Sequence, residues 1–217
     1  MIEPEFHPGS ATLLLEQADF AELVAAAAGN APQDAAARER LAAAGALERG
    51  VPHAAIAGGV QAALAPVVEL ELQQGAARAD GWADGFAAAL LLPREERHQL
   101  HVVPTAFLPA ALARVNELGP RPRAEAAERR RLTAGELAQE LAGRADLRRH
   151  WRVDARWPAA EGSPGVRHVE VLDTEGGLWL VVPDGDDVEL WPTTPTTVWR
   201  LLSGLLPRDE ELDFDRL

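Results

Sequence analysis

Residues 67–73 read Val67-Val68-Glu69-Leu70-Glu71-Leu72-Gln73, and this stretch decides the fold. Just before it, Ile56, Val60 and Leu64 recur every fourth residue after Pro52, which is helical spacing behind a helix-opening proline. From Val68 onward the period drops to two. Val68, Leu70 and Leu72 alternate with Glu69, Glu71 and Gln73, as in a strand with one dry face and one acidic face in water.

Toward the C-terminus, 75–83 carries Gly75, Gly81 and a lone Trp82 and reads as a loop. The apolar stretch 85–92 reads as a strand covered on both faces, and 99–103 as a third strand. Pro104 and Pro109 bracket the start of a helix that runs to about Leu118, ahead of Gly119-Pro120. The succession then returns. Trp151, Val153 and Trp157 alternate, strands follow over 167–173, 177–182 and 188–191, and Pro192 and Pro195 precede a helix with Val198, Leu201, Leu202 and Leu205, stopped by Pro207. Neither copy can hide a sheet face by itself, whereas pairing them gives one sheet covered by helices. The expected fold is α+β: a central, largely antiparallel sheet with pseudo-twofold related β-β-β-α halves and flanking helices.

The expected layout is a single domain over 1–217, with halves at about 66–120 and 150–207. An N-terminal strand and helices occupy 10–65, and a basic linker or helix occupies 121–149. Residues 11–16 read as a strand. Asp19 and Glu22 have capping-box spacing at the start of a helix ending at Gly29-Asn30, and a second helix over 34–48 is closed by Gly50. Residues 120–131 read as a linker that becomes helical. Thr133 and Glu136 form a second capping box, and the acidic tail over 208–217 is expected to fray.

The chain has 217 residues, 47% hydrophobic and 25% charged, which is a globular composition. Cys, Tyr and Lys are absent. That excludes thiolate nucleophiles, disulfides, cysteine zinc sites, Schiff bases and the P-loop lysine. A net charge of −13 repels phosphate backbones, so no nucleic-acid partner is expected. Within it, 121–156 holds ten arginines against six acids; this reads as a solvated, ion-paired helix or as a face for an acidic partner. Met1 is not followed by a basic and then apolar leader, and the run 86–92 is far short of the ~18 apolar residues of a membrane span. The expectation is a cytoplasmic protein without membrane insertion.

Chemistry-bearing patterns are sparse. His98 and His101 have HxxH spacing, but in a strand an offset of three sends them to opposite faces. Ser10, Ser163 and Ser203 lie in no nucleophile elbow, and Gly58-Gly59 and Gly176-Gly177 in no phosphate loop. Glu69 and Glu71 share a strand face and read as solvated acids. Trp151, Trp157, Trp179, Trp191 and Trp199 read as an aromatic core of the second half. Trp82, in its glycine-flanked loop beside Arg78 and Asp80, reads as an interface anchor. The partner-binding candidates are therefore Arg78, Asp80 and Trp82; no catalytic, cofactor-binding or metal-ligating residue is expected.

The segment over 166–206 resembles the C-terminal part of the EspG family, cytosolic chaperones of mycobacterial ESX (type VII) secretion. The resemblance lies in Val169-Glu170-Val171-Leu172-Asp173-Thr174-Glu175-Gly176-Gly177, in 178–182, in Leu190-Trp191-Pro192-Thr193 and in the leucine-rich helix after it. Asp19-Phe20-Ala21-Glu22-Leu23, the stretch 41–50, Pro66-Val67-Val68-Glu69-Leu70 and Phe107-Leu108-Pro109 through Leu118-Gly119-Pro120 are similar too. The chain departs from the family in being shorter, and in Gly177-Leu178-Trp179 where the family often has Gly-Arg-Tyr. The resemblance implies a central sheet with helical bundles and a quasi-twofold relation. It also implies a non-catalytic, cofactor-free actinobacterial chaperone that binds a PE–PPE heterodimer at the PPE helical tip and delivers it to the secretion machine. The family's contact loop between its second and third strands corresponds to 75–83, with Arg78, Asp80 and Trp82. Two other readings stay open from the residues: an immunity- or antitoxin-like acidic inhibitor of a basic toxin, and an enzyme using carboxylates with His101 or His168.

Overall fold

The structure is a computed structural model that describes residues 3–122, 128–159 and 163–213. In chain order the elements are β1 (Glu5–His7), β2 (Thr12–Leu15), α1 (Gln17–Ala27), α2 (Ala35–Ala43), β3 (Leu47–Glu48), β4 (Val51–Pro52) and α3 (Ala54–Leu64). Then come β5 (Val68–Gln74), β6 (Ala77–Ala83), β7 (Ala87–Arg94), β8 (Arg97–Pro104) and α4 (Leu108–Val115). β9 (Arg130–Thr133) and α5 (Ala134–Gly143) lead into β10 (Leu147–Pro158), β11 (Pro164–Thr174), β12 (Gly177–Asp184), β13 (Asp187–Thr193) and α6 (Pro195–Ser203).

The fold is α+β. One 11-stranded sheet runs β1-β2-β8-β7-β6-β5-β10-β11-β12-β13-β9, antiparallel at each pairing, with β3–β4 a separate hairpin. About the β5–β10 seam the order is mirrored: β5 to β8 with α4 on one side, β10 to β13 with α6 on the other. The first half thus has four strands, not three, because the expected loop over 75–83 is strand β6, and this matches the four strands β10 to β13 of the second half. The β6 glycine is a packing residue, not a turn. A Cβ on Gly81 would lie 2.8 Å from Leu90 Cδ2 and 3.1 Å from Leu70 Cβ, so only glycine lets these strands pack so closely.

Strand alternation sorts the sheet into two faces. On one, Val68, Leu70, Leu72, Leu90, Trp151, Val153, Ala155, Val169 and Val171 meet Leu108 and Leu112 of α4 and Val198 and Leu202 of α6. On the other face the burial is split. Leu13, Leu15, Leu91 and Leu100 lie under α1, α2 and α3 at one end. Leu172, Trp179, Val181 and Leu190 lie with Leu137 of α5 at the other. β7 is buried on both faces, as its unbroken apolar run requires.

Several expectations are corrected. Residues 130–133 form edge strand β9 instead of helix, aligned on β13 and tied down by Arg131, 2.9 Å from both Asp184 and Asp187; the 123–127 part of the expected linker lies outside the described residues. The basic segment is ion-paired across elements, as in Arg130–Glu140, Arg121–Asp173 and Arg149–Glu117. α2 stops at Ala43 because Gly45 turns the chain at φ +77°, and Arg49 and Gly50, at φ +52° and +84°, fold Leu47 back as a hairpin. The tail over 208–213 is docked: Arg167 grips Glu211, and Asp213 N–H donates to Pro158 O; 214–217 lies outside the described residues. The tryptophans do not share one core. Trp151 and Trp157 lie under α4 and α6, Trp179 packs by α5, Trp191 lies beneath the Arg129 guanidinium and Trp199 is exposed. No helix among the described residues is long and apolar enough to cross a membrane.

The α1 cap also differs from expectation. Asp19 accepts the Glu16 N–H at 3.1 Å and, fully buried, pairs with Arg40 at 2.6 Å. Glu22 instead starts α2. Its buried carboxylate accepts the Asp34 and Gln33 N–H groups at 3.0 and 3.1 Å and meets Arg38 at 2.8 Å. The Asp34 amide above all, with the Gln33 amide and Arg38, holds the Glu22 carboxyl below the usual carboxylate range, against the opposing effect of burial. A depressed carboxyl gives stability that is present above its unfolded value and lost as pH falls through the folded one. Glu22→Gln is therefore expected to lower unfolding free energy by about 2 kcal/mol at pH 7, the two proteins converging below about pH 4, as read by denaturant titration.

Candidate functional site

Between the two helix-covered ends of the second face lies a bare stretch of sheet on β6, β5, β10 and β11. Strand registers set its residues in rows. One row crosses Trp82, Glu69, Arg156 and Val166; the next crosses Asp80, Glu71, Asp154 and His168; the third crosses Arg78, Gln73, Arg152 and Glu170. The seam between the halves runs down the middle of these rows. Sheet geometry places neighbours within a row about 5 Å apart.

The charges are largely satisfied within the face. Arg152 forks onto Asp154 with Nε at 2.7 Å and Nη2 at 2.6 Å, and reaches Glu170 at 3.5 Å. Its hydrogen bonds to Asp154, more than any other influence, raise the Arg152 guanidinium above its usual value and keep it charged. His150 Nε2 lies 2.8 Å from Glu170, and Glu71 is approached by Arg78 at 3.3 Å and Arg156 at 3.6 Å. An open depression of about 300 Å³ is lined by Glu69, Leu70, Glu71, Asp80, Gly81, Trp82 and Arg156.

All three sequence candidates fall on this face, at alternate positions of one strand, and are not in a loop. Arg78 and Asp80 are exposed. Trp82 is half-buried. Its ring stacks on Phe20 of α1, with centroids 5.3 Å apart and planes 20° from parallel, so it closes the α1–α3 core while one edge borders the depression. Glu69 and Glu71 share the face, as their spacing requires. Of β10 and β11 the sequence singles out only His168 on this face, although the alternation of Trp151, Val153 and Trp157 implies that the even-numbered residues between them point the other way.

The histidines of the enzymatic reading are not brought together. His168 lies on the open face, whereas His101 sits on β8, with β7, β6, β5 and β10 between them in the sheet, and faces the α4 side. Burial above all, with nearby Arg114, pushes the His101 imidazole below its usual value. Among the described residues no cluster of three or more His, Asp or Glu is arranged to hold a metal ion. The arrangement offers charged and hydrogen-bonding groups to a surface laid across it.

Trp82→Ala is expected to cost about 2 kcal/mol of stability by removing the ring from the Phe20 stack. Exposed Arg78→Ala and Asp80→Ala are expected to change stability by less than about 0.5 kcal/mol. Denaturant titration of the three variants separates Trp82, which supports the core, from its two neighbours.

No protein-family model matches the chain, and no curated protein matches it. Among solved structures it is similar to a chain in the structure of the Mycobacterium tuberculosis type VII secretion system chaperone EspG5 in complex with PE25-PPE41 dimer. The TM-score is 0.65 at 12% identity, over 93% of this chain and 100% of that one. At that identity the likeness is one of fold.

Proposed function

We propose that this chain is a non-catalytic cytoplasmic chaperone or adaptor that binds a helical protein substrate of a type VII secretion system, PE–PPE-like or analogous. The observation that carries the reading is the open, ion-paired stretch of sheet at the seam of two mirrored halves. It presents side chains to a partner on a floor already closed by its own hydrogen bonds. The fold it shares with EspG5, a chaperone solved in complex with the PE25-PPE41 dimer, supports the same reading. Arg78 and Asp80 are assigned to the partner contact, and Trp82 holds their strand against α1. The net charge of −13 favours one other partner, a basic toxin inhibited by this acidic protein.

Co-expression with the helical secretion-substrate candidates encoded beside the gene tests the proposal. A substrate that is insoluble alone is expected to co-elute with this chain from size exclusion. Arg78→Glu with Asp80→Arg is expected to weaken that complex about tenfold or more, with folding intact. Substrates that stay insoluble, together with salt-sensitive capture of a basic toxin, would overturn the chaperone reading in favour of the inhibitor.

A further inference from the structure

On the open face two carboxylates stand apart from the network. Glu71, Asp154 and Glu170 are held by arginine or histidine, whereas the side-chain carboxylates of Glu69 and Asp80 make no hydrogen bond or ion pair with any described residue. Glu69 lies opposite Trp82 and Asp80 opposite Glu71, so the two free acids are diagonal neighbours, about 7–8 Å apart. Apolar surface flanks them. The edge of Trp82 is at one end of the Glu69 row, and Val166, 53% exposed, is at the other.

The walls set the size of the occupant. α1 stands over Trp82 of β6, and the α5 core begins at Leu172 of β11. From the β6 axis to the β11 axis is roughly 14 Å, so the open floor has room for no more than a single α-helix, about 10–12 Å across. β6, β5, β10 and β11 are each paired on both edges, so an extended peptide laid here finds no ladder to join. A helix needs none, because its backbone is satisfied internally.

We infer that this trough receives one α-helix of a protein partner carrying arginine or lysine four residues apart, its cations on Glu69 and Asp80 and its apolar flank on Trp82 and Val166. Side chains four apart on a helix rise about 6 Å along it and reach the diagonal pair. The inference rests on the reading of this chain as a binder of helical substrates, and adds the charge pattern of the helix and the strands that receive it.

The test is NMR titration of the full chain with an alanine-based helical peptide bearing two arginines four apart and flanking leucines. Two control peptides replace the arginines by glutamates or interrupt the helix with proline. Amide shifts are expected at 69, 71, 80, 82, 156 and 166 with the arginine peptide alone. Glu69→Gln with Asp80→Asn, whose thermal melt is expected to match the parent's, should weaken binding about tenfold, or about threefold per exposed charge. Four outcomes overturn the inference: no shifts at millimolar peptide, equal shifts with the glutamate or the proline peptide, undiminished binding by the double variant, or shifts on another surface. A secretion substrate that co-elutes while the peptide fails leaves the chaperone reading intact. Peptide binding at these amides without any co-eluting substrate leaves the trough and removes that reading.

Discussion

β5 and β10 meet antiparallel, from Gln74 opposite Trp151 to Glu69 opposite Arg156, and this one ladder joins two four-stranded halves into a single sheet. Unjoined, each half would present a row of unpaired backbone groups along a seven- or twelve-residue strand. Joined, the same register sets Leu70 beside Ala155 and Leu72 beside Val153 on one face, continuous with the α4–α6 core. Because side chains alternate, the register that aligns these apolar residues also aligns Glu69 with Arg156 and Glu71 with Asp154 on the other face. The dry seam and the charged seam are two sides of one constraint.

The faces are finished differently. α4 and α6 touch each other and cover the middle of the apolar side. On the opposite side the helices sit toward the ends, α1 to α3 over one half and α5 over the other, and the middle strands carry charge. Exposed ion pairs of this kind contribute roughly 0–1 kcal/mol each, so the bare stretch adds little to stability. Its pairs do keep most charges neutralised when a partner excludes water, leaving Glu69 and Asp80 to meet charge from outside.

Much of the fold was legible along the chain. The period of two over 67–73, the unbroken apolar run of β7, the Thr133–Glu136 capping box and the repeated proline-bracketed helices follow from local chemistry, and each stands where local chemistry puts it. β6 was missed because Gly81 and Gly75 are turn residues by propensity, and only the nearness of Leu70 and Leu90 makes Gly81 a strand residue. β9 was missed because an arginine-rich strand has no apolar alternation to read; Asp184 and Asp187 on its neighbour hold it. Glu22 read as a cap for its own helix and serves the next one, since its partners Gln33, Asp34 and Arg38 lie on the following segment.

The candidate residues divide the same way. That Arg78, Asp80 and Trp82 share one side of a segment follows from their spacing, once the segment is a strand. That Trp82 turns into the α1 core while Asp80 stays in water could not be read from it, because Phe20 is 62 positions away. By itself the sequence determined most of the element types, β6 and β9 apart, with the duplicated pattern, the sign of the charge and the absence of lysine and cysteine chemistry, since these depend on residue type and local period. Tertiary structure alone decided which charges meet across the seam and which two carboxylates of the open face find no partner among the described residues, because long-range register brings β5 against β10 across more than seventy residues of chain.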